Sequence, residues 1–368
     1  MPIYMDRHDV SKSVTAETIA QLHLEDLKIQ HEFGCKGMTY WFDAKRNTAF
    51  CLIEAPNKEA VEAMHNHAHG ELPNCIIEVD TTVVESFLGR IEDPKTKDTT
   101  DLNIINDSPF RILMLIKTSN YLNRLEAYQL TLFSQKFHNN ISKTLDHYNG
   151  SIVKNDNNSY LVSFKSASDA VQCLLKIHYQ FKYVTPKFDA SGRKLNISLT
   201  TGNPVTDKAS LYEESICLAK YICDTIKEPL VITSEVKTLY ENENKNAIID
   251  NTLIRVLKPK EEKFLTQLMN TVETIWNKPD ITVDEFSKVS GYSKSQFYRK
   301  LMTLTSLSPN QFLKEYRLHK AIKLLHLQMG NISEIAFETG FNSPSYFSKC
   351  FVNTYGILPS KYVQQHLN

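Results

Sequence analysis

Residues 332–362 read ISEIAFETGFNSPSYFSKCFVNTYGILPSKY, and this stretch fixes the architecture of the C-terminal third. Ile332, Ile335 and Ala336 have the spacing of one short helix face. Gly340 follows the small Ala336 by four residues and supplies a tight turn. Ser343 then caps a second helix, with Pro344 at its first position, and Phe347 follows that cap by four. The pattern is a helix-turn-helix. The same arrangement occurs about fifty residues upstream in ITVDEFSKVSGYSKSQFYRKLMTLT, residues 281–305. There Thr282 or Asp284 opens the short helix, Ser287 is the small residue and Gly291 follows by four. Ser293 is the cap and Phe297 the core position. The second turn is one residue longer. Between the units, Pro309 to Gln328 reads as a helix with Phe312, Tyr316, Leu318, Ile322 and Leu325. Upstream, Leu265, Leu268, Met269, Val272, Ile275 and Trp276 recur at three and four, and Pro279 closes that helix.

A recognition helix fits the major groove and meets base edges with the exposed residues near its N-terminus. Here these are Lys294, Ser295, Gln296 and Arg299 in the first unit, and Ser345, Tyr346, Ser348 and Lys349 in the second. Lys300, Lys314, Arg317 and Lys320 are expected to include phosphate contacts. The region from Phe264 to Tyr362 resembles the AraC-type DNA-binding domain through the run I-x-x-I-A-x-x-x-G-F-x-S-x-S-Y-F-S-K-x-F-x-x-x-x-G-x-x-P-S-x-Y. The resemblance implies two helix-turn-helix units, joined by a rigid helix, reading successive major-groove segments of double-stranded DNA.

Outward from this region, the chain of 368 residues has 42 basic and 42 acidic side chains and a formal net charge of zero. The sum hides an uneven distribution. Residues 1–90 hold 8 basic and 14 acidic groups, while residues 262–368 hold 12 and 8. The acidic head and basic tail are joined by a near-neutral middle. Glycine is scarce, at 11 residues, and neither GxGxxG nor GxxxxGK[ST] occurs, which argues against dinucleotide and P-loop chemistry. The seven cysteines form no CxxC pair, so we expect free thiols in a reducing, cytoplasmic compartment. No apolar run approaches the roughly 18 residues of a membrane span, and MPIYMDRHDV lacks the apolar region of a signal peptide. Polar stretches at 91–109 and 241–261 read as linkers, although Ile248 to Val256 has strand character. The domains expected are therefore 1–90, 110–240 and 262–368.

In the middle region RILMLIKTSN (111–120) reads as a strand, followed by a long helix to His147. SIVKNDNNSYLVSF is a hairpin, SASDAVQCLLKIHYQF an amphipathic helix, KLNISLTTGNPV a strand, SICLAKYICDTI a helix and PLVITSEV a strand. This region resembles the class III nucleotide-cyclase homology domain at Gly150, Lys154, Phe164, Ser166, Ala167, Asp169, Ala170, Gly202 and Pro204. The resemblance implies an α/β sandwich able to dimerise. The family's catalytic pattern is missing. Lys117 stands where its first metal-binding Asp belongs, Asn157-Asn158 replaces its Gly-Asp turn, and Cys217 and Tyr221 replace its Asn and Arg. Two-metal phosphoryl transfer needs clustered carboxylates, so the expectation is a domain without enzymatic activity. A residual cyclase is the disfavoured alternative.

The first 90 residues hold six of the twelve histidines. The element order βαββαβ suggests a ferredoxin-like fold. His65 and His69 are spaced i, i+4 on a helix opened by Asn57 and share one face. Tyr4, Asp6 and His8 share a face of the first strand. Imidazole with thiolate or carboxylate suits nickel, zinc or copper. The candidates are His8, His23, Cys51, His65 and His69, with Asp6, Asp26 and Glu54 in reserve. The region also resembles a small-protein family with a nickel-binding member, through M-P-x-Y-M-D-R-H, T-Y-W-F-D, F-C-L-x-E-A-P and H-x-x-x-H-G. That resemblance implies a dimeric ferredoxin-like barrel with a metal site. The expectation for the whole is an α+β multidomain, homodimeric, DNA-binding transcription regulator controlled by a metal ion or small-molecule effector. A metal buffer with secondary DNA binding is the other alternative.

Overall fold

The computed structural model describes residues 1–95, 102–120, 127–156, 159–184, 193–245 and 247–366. The chain begins with β1 (Ile3–Asp9), α1 (Ala16–Ile29), β2 (Lys36–Asp43), β3 (Thr48–Glu54), α2 (Lys58–Ala68) and β4 (Cys75–Val79). The strands form one antiparallel sheet in the order β2-β3-β1-β4. β3 is nearly all buried because both faces of this sheet are covered. Alternation sends Tyr4, Tyr40, Cys51 and Ile53 toward α1 and α2. Met5, Trp41, Phe50 and Leu52 face the other way, against α3 (Thr81–Leu88) and the middle domain.

α3 was not legible in the sequence, where its β-branched start hid it. Asp80 caps it, accepting from the backbone N–H groups of Thr82 and Val83. Its far end is held by Arg111, which is 2% exposed. Arg111 Nε donates to the Phe87 carbonyl at 3.0 Å, and a second guanidinium nitrogen donates to the Ser108 carbonyl at 2.6 Å. A cation on helix-terminal carbonyls both completes hydrogen bonds and offsets the dipole.

The middle domain comprises β5 (Arg111–Asn120), α4 (Ala127–His147), β6 (Ser151–Asp156), β7 (Ser159–Phe164), α5 (Ala167–Val184) and β8 (Arg193–Gly202). It continues through α6 (Glu213–Thr225), β9 (Leu230–Thr233), α7 (Ser234–Glu243) and β10 (Arg255–Leu257). Its sheet runs β10-β9-β8-β5-β7-β6, with β8, β9 and β10 parallel and the remaining pairs antiparallel. The order β8-β5-β7-β6 repeats, strand for strand, the N-terminal order β4-β1-β3-β2. The expected Asn157-Asn158 turn lies outside the described residues.

Both expected linkers do more than connect. Ile105 is 5% exposed against the N-terminal core. Tyr40 Oη donates to the Asn103 carbonyl and accepts from the Ile105 N–H, both at 2.8 Å. The segment 102–109 is therefore docked, a result of its isolated apolar residues rather than of any periodicity. In the second segment Ile249 and Ile254 enter the middle core and β10 extends its sheet, as the strand character of that stretch suggested.

The C-terminal region is all helical: α8 (Pro259–Ile275), α9 (Val283–Val289), α10 (Lys294–Thr305), α11 (Pro309–His326), α12 (Ile332–Glu338), α13 (Pro344–Tyr355) and α14 (Pro359–His366). Five of these helices have an N-cap that follows from local chemistry. Thr282, Ser293, Ser308, Asn331 and Ser343 each accept from a backbone N–H of the turn they open. Gly291 and Gly340 both adopt left-handed backbone, φ +76° and +78°. No helix among the described residues is long and apolar enough to cross a membrane.

Candidate nucleic-acid interface and metal centre

The two helix-turn-helix units are α9–α10 and α12–α13. Ser287 and Ala336, 1% and 0% exposed, let the paired helices cross closely. Phe286 and Phe297 join the first unit's core, and Ile335, Phe347 and Phe351 the second's. α11 serves both cores, giving Phe312 to the first and Leu318, Ala321 and Leu325 to the second. One continuous helix thereby fixes the spacing of the two units.

The recognition helices leave the expected readers outside. Lys294, Ser295, Gln296 and Arg299 are exposed on α10; Ser345, Tyr346 and Lys349 are exposed on α13, with Ser348 half-buried. Tyr298, exposed beside Arg299, was not singled out in the sequence. The expected phosphate binders divide. Lys300 Nζ lies 5.3 Å from the Tyr292 ring and 5.4 Å from that of Phe264, against its own domain. Arg317 Nε donates to the Trp276 carbonyl at 2.7 Å, and Lys320 pairs with Glu273 at 2.9 Å. Arg317 and Lys320 are thus clamps between α8 and α11. Spacing alone does not separate such clamps from free cations. Lys314 is half-buried on the same helix.

At the other end of the chain, β1, β3, α1 and α2 close on a cavity of about 230 Å³ lined by His8, His23, Asp26, Cys51, His65 and His69 among others. Ligand atoms of Asp6, His8, Cys51 and His65 lie within 4.8 Å of one another, as do those of Asp26, His65 and His69. His65, 1% exposed, joins the two groups. Its Nε2 is 2.8 Å from Asp6 Oδ2, and its Nδ1 is 3.1 Å from Asp26 Oδ1. His69 Nε2 lies 3.3 Å from Asp26 Oδ1.

Electrostatics binds this cluster together. Burial opposes a charge on His65, but hydrogen bonds to Asp26 and Asp6 overrule it and raise the imidazolium to about 10. Burial also pushes the Asp6 carboxyl up, and the His8 charge and hydrogen bonds from His65 and His8 reverse this to a net fall. Asp26 behaves likewise: burial raises it, while bonds from His65 and His69 bring it below the usual range. Burial and the nearby Asp6 push the Cys51 thiol well up.

Asp6 and Asp26, held in reserve at the sequence level, turn out to be central. His23 lines the cavity but pairs with Asp93 at 3.2 Å rather than joining either group. Glu54 lies apart, 3.5 Å from the N-terminal amine. Asp93 carried no sequence signal, because it reaches His23 from 70 residues away. His8 Nε2 is buried without a hydrogen-bond partner among the described residues; Asp6 Oδ1 is 3.5 Å distant. Two imidazoles, a thiol and a carboxylate at these separations suit a tetrahedral or higher-coordinate transition metal, and a buried ring nitrogen without a partner is a donor site such an ion would complete.

Comparison with known proteins matches both ends of the chain. Residues 286–365 match a helix-turn-helix domain family, and residues 4–79 match the family described as nickel responsive protein SCO4226-like. The chain is 31% identical over 117 residues to the HTH-type transcriptional regulator MtrA of Neisseria gonorrhoeae, covering 31% of this chain and 37% of that protein. It is 35% identical over 106 residues to histidine kinase P4 of Formosa agariphila, covering 29% of this chain and 8% of that one. The chain therefore spans well under half the length of these curated relatives. Among solved structures, SCO4226 from Streptomyces coelicolor is 31% identical, covering 21% of this chain and 94% of that chain, with a TM-score of 0.20. The DNA-binding domain of AdpA in complex with a target DNA is 25% identical, covering 27% of this chain and 90% of that chain, with a TM-score of 0.25. The chain thus carries a region matching a helix-turn-helix domain family toward its C-terminus, shared with transcriptional regulators, and a region similar to the nickel-responsive SCO4226-like proteins toward its N-terminus.

Proposed function

We infer that the chain is a cytoplasmic, non-enzymatic transcription regulator that binds double-stranded DNA as a homodimer and answers to a metal ion or small-molecule effector. The observation that carries this reading is the pair of matched helix-turn-helix units held at fixed spacing by α11. Lys294, Ser295, Gln296 and Arg299 read one major-groove segment, and Ser345, Tyr346, Ser348 and Lys349 the next. Arg suits guanine and Gln adenine, each bidentately. Lys300 and Lys314 remain available to phosphates.

The N-terminal domain, 1–90, is ferredoxin-like and the sensor. Asp6, His8, Cys51 and His65 hold a transition metal, nickel, zinc or copper, while Asp26 orients His65 through Nδ1 and His69 supports Asp26. When bound, the ion supplies the positive charge that lets a buried thiolate exist beside two carboxylates. His23 positions the wall of the cavity through Asp93.

The middle domain, 110–240, is a cyclase-like α/β sandwich that serves dimerisation. Lys117, ion-paired to Asp224 where a catalytic carboxylate would stand, supports a role without catalysis. Tyr221 donates to Asn270 on α8 and so ties this domain to the DNA-binding region.

The test is to map the DNA sites bound across the genome with and without added Ni²⁺, Zn²⁺ or Cu²⁺, alongside calorimetry on the native chain and on His65→Ala. Discrete sites whose occupancy follows the metal are expected. Metal binding weaker than micromolar would remove the metal from the reading and leave an organic effector. Tight metal binding without discrete DNA sites would favour a metal buffer.

A further inference from the structure

β4, α3, β6, β7 and α6 enclose a second cavity, of about 570 Å³, between the N-terminal and middle domains. It shares no lining residue with the histidine cavity. Its size falls within the roughly 300–1,000 Å³ of small-molecule sites. The floor is apolar, built by Phe87, Leu115, Leu161, Leu211 and Ile216. The Phe87 side of this floor is fixed, because Arg111 and Ser163 both donate to the Phe87 carbonyl at the end of α3.

The rim is charged, and most of its charges are already used. Asp80 caps α3, and Lys154 pairs with Asp156 at 3.8 Å. Glu78 and Lys220 make no ion pair among the described residues. Lys220 lies one turn after Ile216 on α6, so a cation and an apolar contact stand side by side on one helix face. The apolar floor suits a molecule with an apolar body; of the two unpaired rim groups, Glu78 and Lys220, it is Lys220, set beside Ile216, that would take an anionic head.

α6 also faces the DNA-binding domain. Leu218, Tyr221, Ile222 and Ile226 pack into the core that contains α8. A ligand seated on Ile216 and Lys220 therefore touches the helix on which the first helix of the DNA-binding domain rests. Occupancy shifts DNA affinity to the extent that it favours one α6–α8 packing over another.

We propose that this cavity binds an apolar organic acid and that α6 relays its presence to α8; the relay, but not the site, rests on the DNA-binding reading above. The test titrates the full chain with anilinonaphthalene sulfonate, an apolar anion, and with uncharged Nile red. One saturable site for the anion is expected. Lys220→Glu should weaken the anion about tenfold and Nile red less than about twofold. Val153→Trp, from the half-buried position of the edge strand β6, should narrow the cavity and weaken both at least about tenfold, with an unchanged melting temperature as the check on folding. Probe binding indifferent to both substitutions overturns the site. In the second arm, saturating anilinonaphthalene sulfonate should change affinity for a mapped DNA site at least about twofold in the native chain and not in Val153→Trp. No change in the native chain overturns the relay. A chain that binds no DNA without the probe defeats the functional reading, while the site is still decided by the probe titrations.

Discussion

Arg299 stands exposed three residues after Gln296, so the two share a face of α10. Arg299 makes no hydrogen bond or ion pair among the described residues, unlike Arg317, whose guanidinium is committed to backbone carbonyls. Arg299→Ala should weaken binding to a cognate site by about 1–3 kcal/mol, roughly five- to 150-fold, and binding to random DNA far less. Competition binding with both DNAs at one salt concentration measures this. Equal losses on the two would make Arg299 a phosphate contact. At this scale the sequence was informative wherever a residue acts through its near neighbours. The caps Ser293 and Ser343 and the left-handed Gly291 and Gly340 fall where spacing placed them. It was poor wherever a partner comes from afar: Asp6 reaches His65 across 59 residues and Asp26 across 39.

Among the elements, the turn of the second helix-turn-helix is the more constrained. A Cβ on Gly340 would lie 3.0 Å from Arg317 Nε, the Trp276 oxygen and the carbonyl carbon of Asn277, whereas one on Gly291 meets only the Gln267 amide at 3.4 Å. Both substitutions to alanine cost the left-handed term, about 1–2 kcal/mol. Gly340→Ala must also push the end of α8 away, so its melting temperature should fall below that of Gly291→Ala, and its DNA affinity with it. α11 carries a second constraint in His319. Burial, together with Lys117, Lys320 and Lys323 but against Asp224, brings its pKa down to about 4. The folded state keeps this ring neutral, while the unfolded chain takes up a proton below about 6.5. Stability is therefore complete above that pH and is lost as pH falls toward 4, by about 2 kcal/mol at pH 5 from this group. Thermal melts of native chain and His319→Gln at pH 7.5 and pH 5 should show the native chain losing more; parallel losses would refute it. α3, by contrast, was hidden from the sequence because its helix is stabilised by Arg111 and the Trp41 face rather than by its own propensity.

For the whole molecule, the sequence yielded three regions and their secondary structure but not their docking. Alternation in β3 cannot announce that Phe50 and Leu52 pack on α3 and the middle domain while Cys51 and Ile53 face α1. Nor does periodicity reveal that segments read as linkers contribute Ile105 and Ile254 to cores. The repeated strand order of the two sheets has a consequence in time. In both four-strand repeats the first strand is central and pairs with the fourth, Ile3 with Val79 and Arg111 with Gly202, and the middle sheet then adds β9 and β10. Neither sheet can be completed before its final strand has been synthesised, and closing such distant pairs makes folding slow. Helices α9 to α14 gain their contacts mainly from near neighbours and fold fast. The ribosome thus releases the slow parts first and the fast part last, which gives both sheets a head start over the C-terminal helices.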